Sequence, residues 1–153
     1  MFVVRYPLIS DEEVWKRLWA NYNLFYNATV SDAITAYTWH RILDPESPIF
    51  ARLAIRHDQV IGFCVCVIHE GTWTVSPICY LEDLFVDPDS RRVGAGRALI
   101  DDLIRLSHKN GWSRLYWHTK NDNVAARRLY DEFAHADQFV RYRIFFDQPS
   151  EVI

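Results

Sequence analysis

The stretch YLEDLFVDPDSRRVGAGRALI, Tyr80 to Ile100, constrains this chain more than any other part of its sequence. An apolar run of strand character carries two adjacent carboxylates, Glu82 and Asp83. It then passes through Asp-Pro-Asp-Ser and two arginines into the glycine-bearing start of a helix. A strand handed so directly to a helix belongs to an α/β sheet. Two questions follow: why an apolar strand holds acid, and what a basic, glycine-bearing turn is aimed at.

The rest of the chain fits the same class. FVVRYPL reads as a first strand, stopped near Pro7. Ser10-Asp11-Glu12-Glu13 has the capping-box pattern that opens a helix. Trp15, Leu18, Trp19, Tyr22, Phe25 and Tyr26 recur at helical spacing, which favours core packing over a binding surface. A second helix is expected after Ser31-Asp32, ending before LDPESP. FARLAIRH and VIGFCVCVIH flank Asp58-Gln59 as a hairpin, and a long strand covers Ile78 to Val86. Leu99, Ile100, Leu103, Ile104 and Leu106 line one side of a helix from about 95 to 109, closed by Asn110-Gly111. RLYWHT is a strand, 121 to about 134 a further helix, and QFVRYRIFF a closing, alternating strand. This order predicts one mixed α/β domain over residues 1–153.

With 153 residues, half of them apolar, the chain is long enough to bury a real core. A net charge of −3 supplies no general attraction to nucleic acid or membrane. No apolar stretch reaches the roughly 18 residues of a membrane helix, and the N-terminus lacks the layout of a secretory signal. The expectation is a cytoplasmic protein. Cys64, Cys66 and Cys79 are odd in number and lack C-x-x-C spacing, so they read as small core hydrophobes rather than a disulfide framework or zinc site. The histidines form no metal motif, and no metal is expected.

In Arg91-Arg92-Val93-Gly94-Ala95-Gly96, the glycines remove Cβ atoms where a backbone must turn sharply or approach a ligand. The amides of Val93 to Gly96 fall among the orphan donors of a helix start, an arrangement that accepts phosphate. Arg91, Arg92 and Arg97 add charge. Leu99 stands where a dinucleotide fingerprint needs its third glycine, and no Gly-Lys-Ser/Thr ending makes it a P-loop.

Taken together, these blocks resemble the GNAT superfamily of acetyl-CoA-dependent N-acetyltransferases, whose pyrophosphate loop reads Arg/Gln-x-x-Gly-x-Gly/Ala. Arg91 to Gly96 fits every position, and YLEDLFV and NDNVAARRLYDEF look like neighbouring family blocks. The Glu-Asp pair before LFV is most similar to the spermidine/spermine and thialysine branch, and to small microbial members that acetylate histones or D-amino acids. The resemblance implies a mostly antiparallel sheet splayed at the cofactor cleft, flanked by helices. It implies that acetyl-CoA lies along Leu84, Phe85 and Val86, with Leu84 and Val86 offering backbone hydrogen bonds to the pantetheine arm. Its phosphates meet Arg91 to Arg97 (Arg91, Arg92, Val93, Gly94, Ala95, Gly96 and Arg97), and Asn123 and Ala126 complete the cofactor side. A homodimer follows by family analogy. The chain departs from many members in having Arg92 in place of glycine, and FAHADQF in place of a Gly-Phe.

Amide formation needs a neutral amine, a place for an oxyanion and a proton for the departing thiolate. An alkylammonium is mostly charged at pH 7, so a base is required, and Glu82 is the candidate, with Asp83 binding the cationic acceptor. Strand alternation points the two side chains to opposite faces unless a bulge intervenes. Tyr130 is the candidate acid, seven residues after Asn123 on one helix face with Ala126 between. Arg127 and Arg128 are further phosphate candidates, and His118 a spare base. The leading expectation is acetylation of a small cationic primary amine, a polyamine or amino-acid-like metabolite. Its rivals are acetylation of lysine in a protein or histone tail, a non-catalytic acyl-CoA-binding module, and a purely structural domain.

Overall fold

The computed structural model describes residues 1–146. Five strands form one sheet in the order β1 (Val3–Arg5), β2 (Ile49–Arg56), β3 (Gln59–His69), β4 (Ile78–Val86), β5 (Arg114–Trp117). The first four pair antiparallel and β4 with β5 parallel, so the sheet is mixed and mostly antiparallel as expected. Helices α1 (Glu12–Phe25) and α2 (Asp32–Leu43) cover one face, and α3 (Ala95–Asn110) covers the other. The short α4 (Val124–Tyr130) follows β5.

Alternation along the central strands builds two cores. Leu53, Phe63, Val65 and Phe85 face Trp15, Leu18, Trp19 and Trp39 of α1 and α2. Cys64, Cys66, Cys79 and Leu81 face Ala95, Leu99, Leu103 and Leu106 of α3. The period-2 pattern of β3 thus serves both layers at once. The aromatic stripe of α1 is core over Trp15 to Trp19, while Leu24 and Phe25 at its end are exposed. The three cysteines are buried and unpaired, as their strand positions predict.

One charged pair is buried on the α3 face. Arg52 of β2 donates twice to Asp102 of α3, at 2.7 and 3.0 Å, and once to the Val4 carbonyl, while the Tyr6 ring covers its guanidinium at 4.1 Å. Asp102→Ala strands a buried cation and is expected to cost about 3–5 kcal/mol in urea unfolding. Arg105→Ala, removing the exposed second partner of the same carboxylate, is expected to cost at most about 1 kcal/mol.

Three local expectations need correction. The Ser10–Glu13 capping box does not form: the chain enters α1 through a 3-10 turn over Ile9–Asp11, and Asp11 turns back to accept from the Leu8 amide and pair with Arg5. The helix expected over 121–134 is regular only over Val124–Tyr130, because Glu132 and Phe133 bond three residues back and tighten its end into turns. QFVRYRIFF is no strand within the described residues. A strand exists only when its backbone is paired, and no partner runs beside residues 138–146.

Candidate active site

The parallel pairing of β4 with β5 stops early. Its last partners are Leu81 and Trp117, after which β5 ends while β4 continues to Val86. Residues 83–86 stay paired with β3 on one side and, among the described residues, have no strand partner on the other. This is a splayed sheet with an open backbone edge. The start of α3 and the helix α4 border the opening, since a Cβ on Gly96 would stand 3.1 Å from Leu129 of α4.

A bulge decides where the two carboxylates point. Consecutive β3 residues Val65 and Cys66 pair with Asp83 and Leu81, so Glu82 is the extra residue. Leu81 and Leu84 both pack on the α3 side. Glu82 and Asp83 between them are therefore both released toward the α1 face, where simple alternation would have parted them. Asp83 accepts a 2.8 Å hydrogen bond from Tyr22 of α1. Burial, then the charge of Glu82, push the Asp83 carboxyl up to about 7, against the lowering effect of Tyr22. Glu82 stays exposed; partial desolvation raises its carboxyl, opposed by Arg41 of α2. The result is an acidic pair in which Asp83 changes charge near neutral pH.

The glycine loop follows β4 through a 3-10 turn, Pro88–Ser90, that Asp87 caps. Gly94 caps α3 with φ of 94°, a left-handed conformation that glycine accepts at little cost. Arg92 also has positive φ, 65°, a left-handed conformation that a residue with a Cβ seldom adopts. The backbone amides of residues 92–97 have no acceptor among the described residues, and Ala98 is the first to bond back, to the Gly94 carbonyl. Six amides at the positive end of a four-turn helix make an anion cradle. The arginine side chains are partly committed elsewhere. Arg91 donates to the Val86 carbonyl and lies over Phe25 and Phe85, and Arg97 pairs with Glu132.

Across the opening, Tyr130 at the end of α4 packs edge-on against Trp117, the last residue of β5, with ring centroids 5.5 Å apart. Its hydroxyl has no hydrogen-bond partner among the described residues, and burial holds the phenol up at about 12. Asn123 caps α4, accepting from the Ala126 amide and donating to Thr119, so the side chain expected on the cofactor is also the one that starts the helix. Arg127 bonds Asn121.

The sequence reading did not single out Tyr80 or Tyr116, nor assign Tyr22 a role at the site. The Tyr80 and Tyr116 rings stack at 4.9 Å, His118 meets both edge-on, and His69 hydrogen-bonds the Tyr116 hydroxyl at 2.8 Å. Burial lowers the His118 pKa, leaving the ring neutral at pH 7. Tyr80 stands two residues before Glu82, and that spacing was the available signal for a shared face. Among the described residues no cluster of His, Cys, Asp or Glu suits a metal ion, and no helix is long and apolar enough to cross a membrane.

A splayed α/β sheet with an amide cradle at one helix start and paired acids at its edge has the architecture of a transferase for an extended, phosphate-bearing cosubstrate. Comparison with known proteins defines which. The acetyltransferase (GNAT) family model matches residues 12–135, and the chain belongs to that family, as an acetyl-CoA-dependent N-acetyltransferase. It is 30% identical over 136 residues to the D-amino-acid N-acetyltransferase HPA3 of Saccharomyces cerevisiae, covering 88% of this chain and 84% of that one. The fold matches ribosomal-protein-alanine N-acetyltransferase from Brucella melitensis at a TM-score of 0.80, 22% identity, and coverage of 95% and 100% of the two chains. It also matches aminoglycoside N-acetyltransferase AAC(6')-Iy in complex with CoA at 0.77, with 20% identity and coverage of 94% and 95%.

Proposed function

We propose that residues 1–153 form one domain that transfers acetyl from acetyl-CoA to the primary amine of a small cationic metabolite, polyamine-like or amino-acid-like. The observation that carries the reading is the Glu82 bulge, which turns two carboxylates onto one face at the mouth of the splayed sheet. Adjacent acids on one face suit an ammonium; the D-amino-acid activity named for the yeast relative supports an acceptor of that size. The working unit is a cytoplasmic homodimer, with no nucleic-acid or membrane partner.

In this mechanism the amides of 92–97, with Arg91, Arg92 and Arg97 around them, hold the pyrophosphate. The open edge at Leu84, Phe85 and Val86 holds the pantetheine arm as an added strand would, and Asn123 and Ala126 flank it. Asp83, oriented by Tyr22, pairs with the acceptor ammonium. Glu82 removes its proton, directly or through water. The nitrogen lone pair then forms the new C–N bond, the C–S bond breaks as Tyr130 gives its proton to the leaving thiolate, and the second proton shed by the nitrogen returns to the phenolate, directly or through water. Tyr130 retains that proton across the working pH range because its pKa is raised to about 12. As pH rises through 7, Asp83 ionises and the pair gains charge to hold the cation.

Release of free CoA thiol with a panel of polyamines and D- and L-amino acids tests the reading. Turnover of at least one cationic amine is expected. Silence across the panel from protein that binds acetyl-CoA overturns it, and acetylation of protein lysines found by mass spectrometry moves the acceptor to a macromolecule. Gly96→Leu crowds both Leu129 and the phosphate approach, so it is expected to raise the KM for acetyl-CoA at least about tenfold with a smaller change in kcat, read by steady-state kinetics.

A further inference from the structure

Acetyl transfer makes one demand that no residue named so far meets. When the amine nitrogen attacks, the carbonyl π pair moves onto oxygen, and that charge needs a donor. The attacked carbon lies between the amine, held at Asp83 and Glu82, and the sulfur, which takes its proton from Tyr130. Tyr26, the residue that closes α1, stands in this interval. Its ring meets Tyr22 edge-on at 5.1 Å, and Tyr22 in turn donates to Asp83 at 2.8 Å. From the other side of the opening, Lys120 in the turn between β5 and α4 brings its Nζ to 5.8 Å from the Tyr26 ring centroid. Burial and then the Asp83 charge raise the Tyr26 phenol, and burial and then Tyr26 raise Tyr130. One hydroxyl is thus within electrostatic reach of both ends of the reaction.

That hydroxyl is free and its support is firm. No side-chain hydrogen bond among the described residues uses it. The amides of Tyr26, Asn27 and Ala28 bond back to the carbonyls of Tyr22, Leu24 and Asn23. Asn27 takes the left-handed conformation, φ 52°, that ends a helix and fixes the residue before it. We infer that the Tyr26 hydroxyl donates a hydrogen bond to the thioester carbonyl oxygen and holds the oxyanion of the tetrahedral intermediate. As the C–N bond forms, the π pair becomes a lone pair on that oxygen, and Tyr26 keeps its own proton. When the pair returns to carbon, the C–S bond breaks and Tyr130 protonates the sulfur. A donor fixed before the charge appears needs no reorganisation when it does. This role rests on the arrangement proposed above, with the amine at the acid pair and the sulfur at Tyr130, whichever amine accepts.

Tyr26→Phe keeps the ring and removes the donor. With any amine that the parent accepts, kcat is expected to fall about 10²- to 10³-fold, the cost of one lost oxyanion donor, while calorimetry gives an unchanged Kd for acetyl-CoA. An unchanged kcat overturns the assignment, and so does a loss explained entirely by weaker acetyl-CoA binding. A second measurement needs no acceptor. In infrared difference spectra of bound acetyl-CoA carrying carbon-13 at the thioester carbonyl, the C=O band is expected at lower wavenumber on the parent than on Tyr26→Phe, because a donor to that oxygen weakens the bond. Coincident bands overturn the role and leave the oxyanion to the open-edge amides of β4. Silence across the amine panel with separated bands overturns the small-amine reading while the role of Tyr26 stands.

Discussion

Replacing Tyr130 by phenylalanine is expected to lower kcat by about 10²- to 10⁴-fold, the range over which a positioned proton donor acts. The substitution keeps the edge-on packing against Trp117 and removes one oxygen whose hydrogen-bond capacity the described residues leave unused. Stability and the KM for acetyl-CoA should change little, which separates loss of an acid from loss of a wall. The pH profile provides a second reading. A phenol held at about 12 produces no descending limb at neutral pH, so such a limb would place the acid elsewhere. Unchanged turnover in the variant removes Tyr130 from the mechanism.

Asp83→Asn is expected to stabilise the protein while weakening it as an enzyme. The folded state holds the Asp83 proton to about 7, against an ordinary value of 3.8, so it binds protons more tightly than the unfolded chain. Stability therefore falls as pH rises from about 4 to 7, and above 7 the full penalty persists. The gap corresponds to roughly 4 kcal/mol if it were all expressed; sharing with Glu82 reduces the expected gain in the variant to about 2–4 kcal/mol at pH 8. At pH 4 the two proteins should unfold at nearly the same urea concentration. Losing a charged hydrogen-bond partner for the acceptor, worth about 1.5–3 kcal/mol, lowers kcat/KM for a cationic amine by about 10- to 100-fold. A variant no more stable at pH 8 than at pH 4, relative to the parent, contradicts the buried-carboxylate account. Undiminished activity contradicts the ammonium site.

Both predictions concern residues legible in the sequence. Glu82, Asp83 and Tyr130 stood out as candidates because acid in an apolar run and a family-like helix block are chemical signals carried in the letters themselves. The glycine loop was legible for the same reason: Gly94 adopts the positive φ that its residue type allows, and the orphan amides follow from any helix start. Tyr22 was visible only as one more aromatic in a packing stripe. Its role as the partner of Asp83 joins residues 61 positions apart, a distance local pattern does not cross.

The amino-acid order alone set most of the strand and helix periods, the cysteines' burial and the resemblance to the family. These follow from side-chain periodicity, which is local. Tertiary structure decided three other things. The bulge at Glu82 put both acids on one face; the early end of β5 opened the sheet; and the run at 138–146 found no strand partner among the described residues. Each depends on which backbone meets which across space. A strand's alternation is written in its own residues, but its register and its partner belong to two strands at once.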